Sequence, residues 1–188
     1  MKIIVVGLGN PGKKYERTRH NAGFVAVEEL ARHLRIDVSQ EKCQSLIGRG
    51  RFETAQIVLV KPQTYMNESG RAVVALLQDF YASSGDLIVI HDELDLPLGT
   101  VRIKTGGGHG GHNGLRSIIE SLGTSDFVRV RMGIGRPAQG MDSADYVLSP
   151  FLPDEQKAAA DEAGRAADAV LAIASQGMTR AMSLFNQR

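Results

Sequence analysis

Short apolar runs and amphipathic stretches of helical period alternate along this chain. Lys2 to Val6 is a short β-rich run closed by a glycine, and Phe24, Val27, Ala31 and Leu34 then recur at helical spacing behind Asn21, which is placed to cap a helix. Residues 44–52 and 55–61 read as two strands, and Val58 to Val60 is solidly apolar, as in a strand covered on both faces. After PQTYMN, Asn67 is placed to cap a second helix with Val73, Leu77 and Phe80 on one side. Leu87 to Ile90 is another strand of the buried type and runs straight into HDELDLP. There follow a strand near 100–104, a loop TGGGHGGHNG, a helix from about Gly114 carrying Leu115, Ile118, Ile119 and Leu122, and a strand near 127–134. A Gly/Pro-rich connection then leads into an alanine-rich helical tail from about 153 to 185.

Strands alternating with helices predict an α/β sandwich with a mostly parallel sheet, made mixed by the hairpin-like pair at 44–61. In such sheets a ligand crevice lies outside the carboxyl ends of the strands. Four motif loops are expected to leave strand ends there: GLGNPG, PQTYMN, HDELDLP and TGGGHGGHN.

At 188 residues and 43% hydrophobic content, the chain suffices for one sizeable core and is short for two. A single domain over 1–188 is expected. The lone Cys43 rules out an internal disulfide framework and fits a reducing, cytoplasmic setting. The apolar start MKIIVV is interrupted by GNPG before a signal core or membrane span could form, and no later segment is long enough. The net charge of +1 hides local asymmetry. Lys13, Lys14, Arg17 and Arg19 face only Glu16 within 10–19; Arg102, Lys104, Arg116, Arg129, Arg131 and Arg136 outnumber Glu120 and Asp126 within 99–136; residues 79–95 carry acids alone. Either these are ordinary solvated faces, or basic segments beside the motif loops bind phosphate.

Three readings of the glycine-rich loop compete: a phosphate cradle, a metal site from His109 and His112, or a substrate-gripping loop that orients Asn113. Gly7, Gly9 and Gly12 match a G-x-G-x-x-G dinucleotide fingerprint, but Pro11 and KKYERTRH precede the helix, and the acidic partner would be Glu28 or Glu29 in mid-helix. Zinc on His109 and His112 with Asp92 or Glu93 lacks a diagnostic spacing. No G-x-S-x-G elbow occurs, and nothing marks Cys43 as activated. There remain His20, Asp92, Asn10, Asn67 and Asn113 on separate loops. Together they suit hydrolysis without a covalent intermediate, with a histidine as base for water, a carboxylate fixing its tautomer and amides holding the reacting carbonyl.

The stretches VGLGNPG, TRHNAG, KPQTYMNESG, HDELDLPLG and KTGGGHGGHNGLRSI stand in the order found in bacterial peptidyl-tRNA hydrolases, which this chain resembles over about residues 1–136. The resemblance implies a monomeric, single-domain α/β/α hydrolase without a cofactor. It would cleave the ester between a peptide and the 3′ ribose of tRNA, recycling tRNA from abandoned translation. By the same similarity His20 activates the water, Asp92 stabilises its productive form, and Asn10 tells a blocked amino group from a free one. Asn67 and Asn113 would hold substrate and water; Tyr15, Tyr65 and Met66 would line the cleft; Lys104 and Arg131 would contact tRNA phosphates. His112 either supports the loop or contacts substrate, His109 is a surface residue, and 137–150 is either a gate over the cleft or a plain connection. A second implied reading is a catalytically silent RNA-binding protein on the same fold, against which the intact histidine, carboxylate and asparagine set speaks.

Overall fold

The computed structural model describes residues 1–187. One seven-stranded sheet runs through the molecule, built from β1 (Lys2–Gly7), β2 (Gln40–Lys42), β3 (Ser45–Phe52), β4 (Ala55–Pro62), β5 (Leu87–Glu93), β6 (Val101–Thr105) and β7 (Val128–Gly133), in the spatial order β2-β3-β4-β1-β5-β7-β6. β1 pairs in parallel with both β4 and β5, and β5 with β7. β3 pairs antiparallel with β2 and β4, and β6 with β7. The short β2, too brief and polar to show a period, was absent from the sequence reading.

The apolar runs are long in the central strands because both faces are covered, as the pattern of Val58 to Val60 foretold. Helices α1 (Ala22–Leu34) and α5 (Gln156–Gln176) pack on one face over Val5, Leu59, Ile88 and Ile90. Helices α2 (Ser69–Asp79) and α3 (Asn113–Leu122) cover the other over Val6, Val60, Leu87 and Val89. The expected three-layer α/β/α arrangement with a mixed sheet is the observed one. A short α4 (Ser143–Val147), capped by Asp142 through Ala144 N–H, interrupts the Gly/Pro-rich connection. The tail is two helices rather than one: at Gly177 (φ 81°, ψ 168°) the chain leaves the helix and restarts as α6 (Met178–Phe185).

Two expected caps are corrected. Neither Asn21 nor Asn67 donates or accepts as a side-chain cap, since Asn21 bonds to Asn10 and α2 begins only after a 3-10 turn over Met66–Glu68. The dinucleotide-like glycines also have a packing explanation. A Cβ on Gly7 would lie 2.1 Å from the carbonyl oxygen of Gly23, so glycine lets β1 and α1 touch backbone to backbone.

The glycine-rich loop does not leave the end of the sheet expected of it. Because β6 runs against β7, its last residue Thr105 lies opposite Val128, the first residue of β7, at the end remote from the carboxyl ends of β1, β4 and β5. The loop must therefore travel back along the sheet before α3 can begin. Seven residues at about 3.3 Å each can span one six-residue strand and still leave room for the turn that the His112 N–H closes on the His109 carbonyl.

Candidate active site

The long way back explains much of what the loop is made of. Its chain turns through positive φ at Gly106, Gly107, Gly110 and Gly111, dihedrals that other residues adopt at a cost of order 1 kcal/mol or more. Arg129, 3% exposed on β7, donates to the carbonyls of Gly108 (2.5 Å) and Gly107 (2.6 Å) and so pins the loop against the sheet. Burial, then the neighbouring Arg131, lowers its pKa from the ordinary value. The loop ends at His112, whose Nδ1 accepts the N–H groups of Gly114 (3.1 Å) and Leu115 (3.3 Å) as the cap of α3. A nitrogen that accepts has no proton, so the neutral ring carries its proton on Nε2. Nε2 lies 2.9 Å from Oδ1 of Asp92 and donates to it.

Asp92 stands near the carboxyl end of β5 and is 3% exposed. His20 lies in a 3-10 turn over Arg19–Asn21, and its Nδ1–H donates to the same carboxylate, 2.9 Å from Oδ2 and 3.1 Å from Oδ1. Burial alone would raise the Asp92 pKa; the charges and hydrogen bonds of His20 and His112 outweigh it and hold the carboxyl well below its usual range. For His20 burial pulls downward, but the charge and hydrogen bond of Asp92 prevail and raise the pKa above 6.5. With Nδ1 committed to Asp92, the basic lone pair of neutral His20 is on Nε2, which hydrogen-bonds to nothing among the described residues. His91 completes the cluster from behind, its Nδ1–H donating to the Asp92 carbonyl at 2.8 Å. Burial, and after it the neighbouring His112, push its pKa down to about 3, so it stays neutral.

His20, Asp92, His112 and Asn113 meet in a cleft of about 310 Å³, walled also by Glu93, Leu94, Asp95, Gly110 and Gly111 and by Arg136 with Ser143, Ala144 and Val147 of α4. Asn10 lines a second hollow of about 450 Å³ with Lys13, Arg17, Phe24, Lys61 and Gln63. A larger, mainly apolar cavity of about 740 Å³ lies between α1, α5 and the 150–153 segment and holds no comparable histidine and carboxylate pair. Asn10 is fixed at three points. Asn21 accepts its N–H and donates to its carbonyl, both at 2.9 Å, while its own Oδ1 accepts the N–H of Met66 at 2.8 Å. The amide is thereby oriented with Nδ2 left over as a donor.

The other expected residues are more scattered. Met66 is 4% exposed in the core beside α3 and reaches the site through its backbone. Tyr65 is 58% exposed, Tyr15 is half-buried with the Lys14 ammonium over its ring, and Asn67 is exposed; none of the three lines either hollow. Asn113, also exposed, is the first residue of α3 and accepts from Arg116 at 3.3 Å. Lys104 is exposed on β6, its ammonium against Gly107. Arg131 pairs with Glu93 of the cleft wall at 2.9 Å, and Arg136 pairs with Asp95. Two basic residues of the 99–136 stretch are thus paired with two acids of the 79–95 stretch.

His109 turns away from the cluster and accepts the N–H of Gly111 at 2.9 Å. The side chains that do converge with metal-like geometry are His20, Asp92 and His112. Their contacts are protonated hydrogen bonds near 2.9 Å, and His112 has one nitrogen occupied as a cap and a proton on the other. A metal would have to displace both proton and cap. Sequence reasoning missed the roles of Arg129 and His91 and the burial of Arg19, whereas the 137–150 segment, read as a gate or a plain connection, brings α4 to the cleft lining. Only Arg129 left a trace: an arginine in each outward place of the apolar alternation Val-Arg-Val-Arg.

The family model for peptidyl-tRNA hydrolase matches residues 4–188. A peptidyl-tRNA hydrolase of Sorangium cellulosum is 50% identical over 188 residues, covering 99% of this chain and 84% of that one. One from Citrifermentans bemidjiense is 47% identical over 185 residues, covering 98% of each. The crystal structure of peptidyl-tRNA hydrolase from Acinetobacter baumannii superposes with a TM-score of 0.92 at 39% identity, covering 98% of this chain and 94% of that one. With its cluster of His20, Asp92 and His112 at the carboxyl edge of an α/β/α sheet, this chain belongs to the peptidyl-tRNA hydrolase family.

Proposed function

We propose that the chain hydrolyses the ester joining a peptide, or an N-blocked amino acid, to the 3′ ribose of tRNA, and that His20 is its base. The observation that carries this reading is the pairing of His20 with Asp92. Nδ1–H is held at 2.9 Å by a buried carboxylate, and the opposite nitrogen is left as an unpartnered base in a cleft. Nε2 takes a proton from water as the water oxygen bonds to the ester carbonyl carbon; Asp92 stabilises the imidazolium that forms. The same Nε2–H then protonates the departing ribose oxygen as the ester C–O bond breaks, leaving free tRNA and a peptide carboxylic acid, which releases its proton to solvent. His20 Nε2 bonds to no serine or cysteine among the described residues, which favours water over a side chain as nucleophile.

Asn10 Nδ2 and Asn113 supply donors toward a substrate carbonyl, Asn10 serving recognition of the blocked amino group. Tyr15, Tyr65 and Asn67, outside both hollows, serve as outer contacts for the substrate chain. Exposed Lys13, Lys14, Arg17 and Lys104 meet acceptor-stem phosphates, and Arg131 joins them if Glu93 releases it. His112 has both nitrogens engaged and serves as a support for Asp92 and the loop. The protein acts as a cytoplasmic monomer; no helix among the described residues is long and apolar enough to cross a membrane. Incubation with a labelled N-blocked aminoacyl-tRNA tests the reading: release of free tRNA supports it, and intact substrate after prolonged incubation overturns it.

A further inference from the structure

Arg19 stands beside His20 in sequence yet is 4% exposed and does not line the cleft; its guanidinium gathers the chain that follows α4. Its Nη1 donates to Ser149 Oγ (2.6 Å), the Pro150 carbonyl (2.7 Å) and, more loosely, the Ser149 carbonyl (3.3 Å). Its Nη2 meets Glu155 Oε1 at 2.8 Å, an oxygen that also accepts the N–H of Leu152. Its Cζ lies 4.2 Å from the ring centroid of Tyr146 and 5.4 Å from that of Phe151. On the backbone, Arg19 N–H donates to the Ser149 carbonyl and Thr18 bridges to Pro150. Tyr146 is the last-but-one residue of α4, and α4 supplies Ser143, Ala144 and Val147 to the same cleft that His20 lines.

We propose that Arg19 is a positioning residue for the hydrolysis: one buried side chain sets the spacing between the His20 turn and the α4 wall, and so the width of the cleft in which water, ester and base must align. This rests on the reading of His20 as the base. A forked, planar cation is what the task asks for, because it satisfies a carbonyl, a hydroxyl and a carboxylate in different directions while its faces stack on aromatic rings. A lysine keeps the charge and the Glu155 pair but reaches fewer of these acceptors. None of the contacts touches Asp92 or the ring of His20, so the strap acts through geometry and leaves the basicity of the imidazole alone.

The test compares Arg19→Lys, Ser149→Ala and Glu155→Gln with wild type and with His20→Ala, using N-blocked aminoacyl-tRNA well below each variant's melting temperature. Reacting groups misplaced by about 1 Å lose on the order of a hundredfold in rate, so kcat of Arg19→Lys should fall roughly ten- to hundredfold. The lower pH limb of the rate should stay where wild type has it. Ser149→Ala should lower kcat in the same sense but less, and combining it with Arg19→Lys should cost less than the product of the two losses. Should Arg19→Lys fail to fold, the Ser149 and Glu155 variants and their double variant carry the comparison. Unchanged kcat in folded strap variants, or losses that multiply fully, would overturn the proposal while His20→Ala remains inactive. An active His20→Ala would instead sink the reading beneath it.

Discussion

His20 and His112 hydrogen-bond the same buried carboxylate, His20 through Nδ1 at 2.9 Å from Oδ2 and His112 through Nε2 at 2.9 Å from Oδ1 of Asp92. The two rings, with centroids 4.9 Å apart, differ in what their other nitrogen does: that of His112 caps a helix, while that of His20 is left over for chemistry. Replacing His20 with alanine should lower turnover by about 10²–10⁴-fold, the usual share of a general base, with tRNA binding retained. Near-normal release of tRNA by the variant would remove His20 from the mechanism.

The pH dependence follows from the sign of the His20 shift. A base whose pKa is raised above 6.5 is protonated and idle at lower pH, so the rate should climb with pH through a limb lying above 6.5. Asp92→Asn removes the charge that raises it. The limb should move to lower pH while the plateau rate falls, because the imidazolium loses its counter-charge. Chelators should leave wild type unaffected and His109→Ala should be nearly normal; restoration of a chelated enzyme by zinc would contradict the hydrogen-bonded reading of the cluster.

Asn10→Asp is a sharper probe than alanine. It keeps the oxygen that accepts Met66 N–H at 2.8 Å, whereas alanine would leave that buried N–H unpaired at a cost of about 1–3 kcal/mol. What aspartate lacks is the Nδ2 donor. The preference for N-blocked over free aminoacyl-tRNA should narrow, and an unaltered ratio would confine Asn10 to holding the Met66 turn.

Substituting both Lys104 and Arg131 with alanine should weaken tRNA binding and flatten its salt dependence, with up to about 0.9 lost from the log–log slope for each phosphate contact removed. Lys104 is exposed and Arg131 is tied to Glu93, so the single Lys104 variant should account for most of the change. Equal slopes for wild type and the double variant would make this an ordinary solvated face.

Glu162, 1% exposed on α5, accepts the N–H of Gly99 at 3.1 Å through Oε1, while Oε2 has no partner. Burial, against the opposing backbone hydrogen bonds, pushes its pKa up from 4.5 to about 8. The folded protein then holds a proton that the unfolded chain gives up, so this contribution to stability is complete below about 4.5 and is lost as pH rises through about 8. Glu162→Gln keeps the acceptor and removes the titration. Denaturant unfolding should show a smaller decline in stability between pH 5 and 8 than in wild type, within about those bounds; parallel curves would place the proton elsewhere.

Much of the architecture was legible in the chain because its signals are local. Val58 to Val60 and Leu87 to Ile90 read as strands of the buried type, and the period of Leu115, Ile118 and Leu122 announced α3. Of the expected set His20, Asp92, Asn10, Asn67 and Asn113, the structure brings His20, Asp92 and Asn113 to one cleft, while Asn10 lines a second hollow and Asn67 lines neither. What periodicity could not supply was the direction of β6, because a strand reads alike in either sense. The path of the glycine-rich loop, and the need for Arg129 to pin it, follow from that direction.

Polar side chains were where local reading failed. Asn21 and Asn67 have the right chemistry for caps, but an amide takes whichever partner the fold brings near, and for Asn21 that was the backbone of Asn10. Arg19 counted as surface charge in the sequence and is buried against Glu155, 136 residues away. Which nitrogen of His20 is free, which of His112 is occupied, and which cations remain unpaired are decided by contacts between residues far apart in the chain. The sequence determined the inventory of chemical groups and the layers that carry them; packing decided the tautomers, the charges left open to a ligand, and the wall that lines the cleft with the base. The reason is physical: burial and periodicity are properties of a segment, whereas a hydrogen bond belongs to a pair.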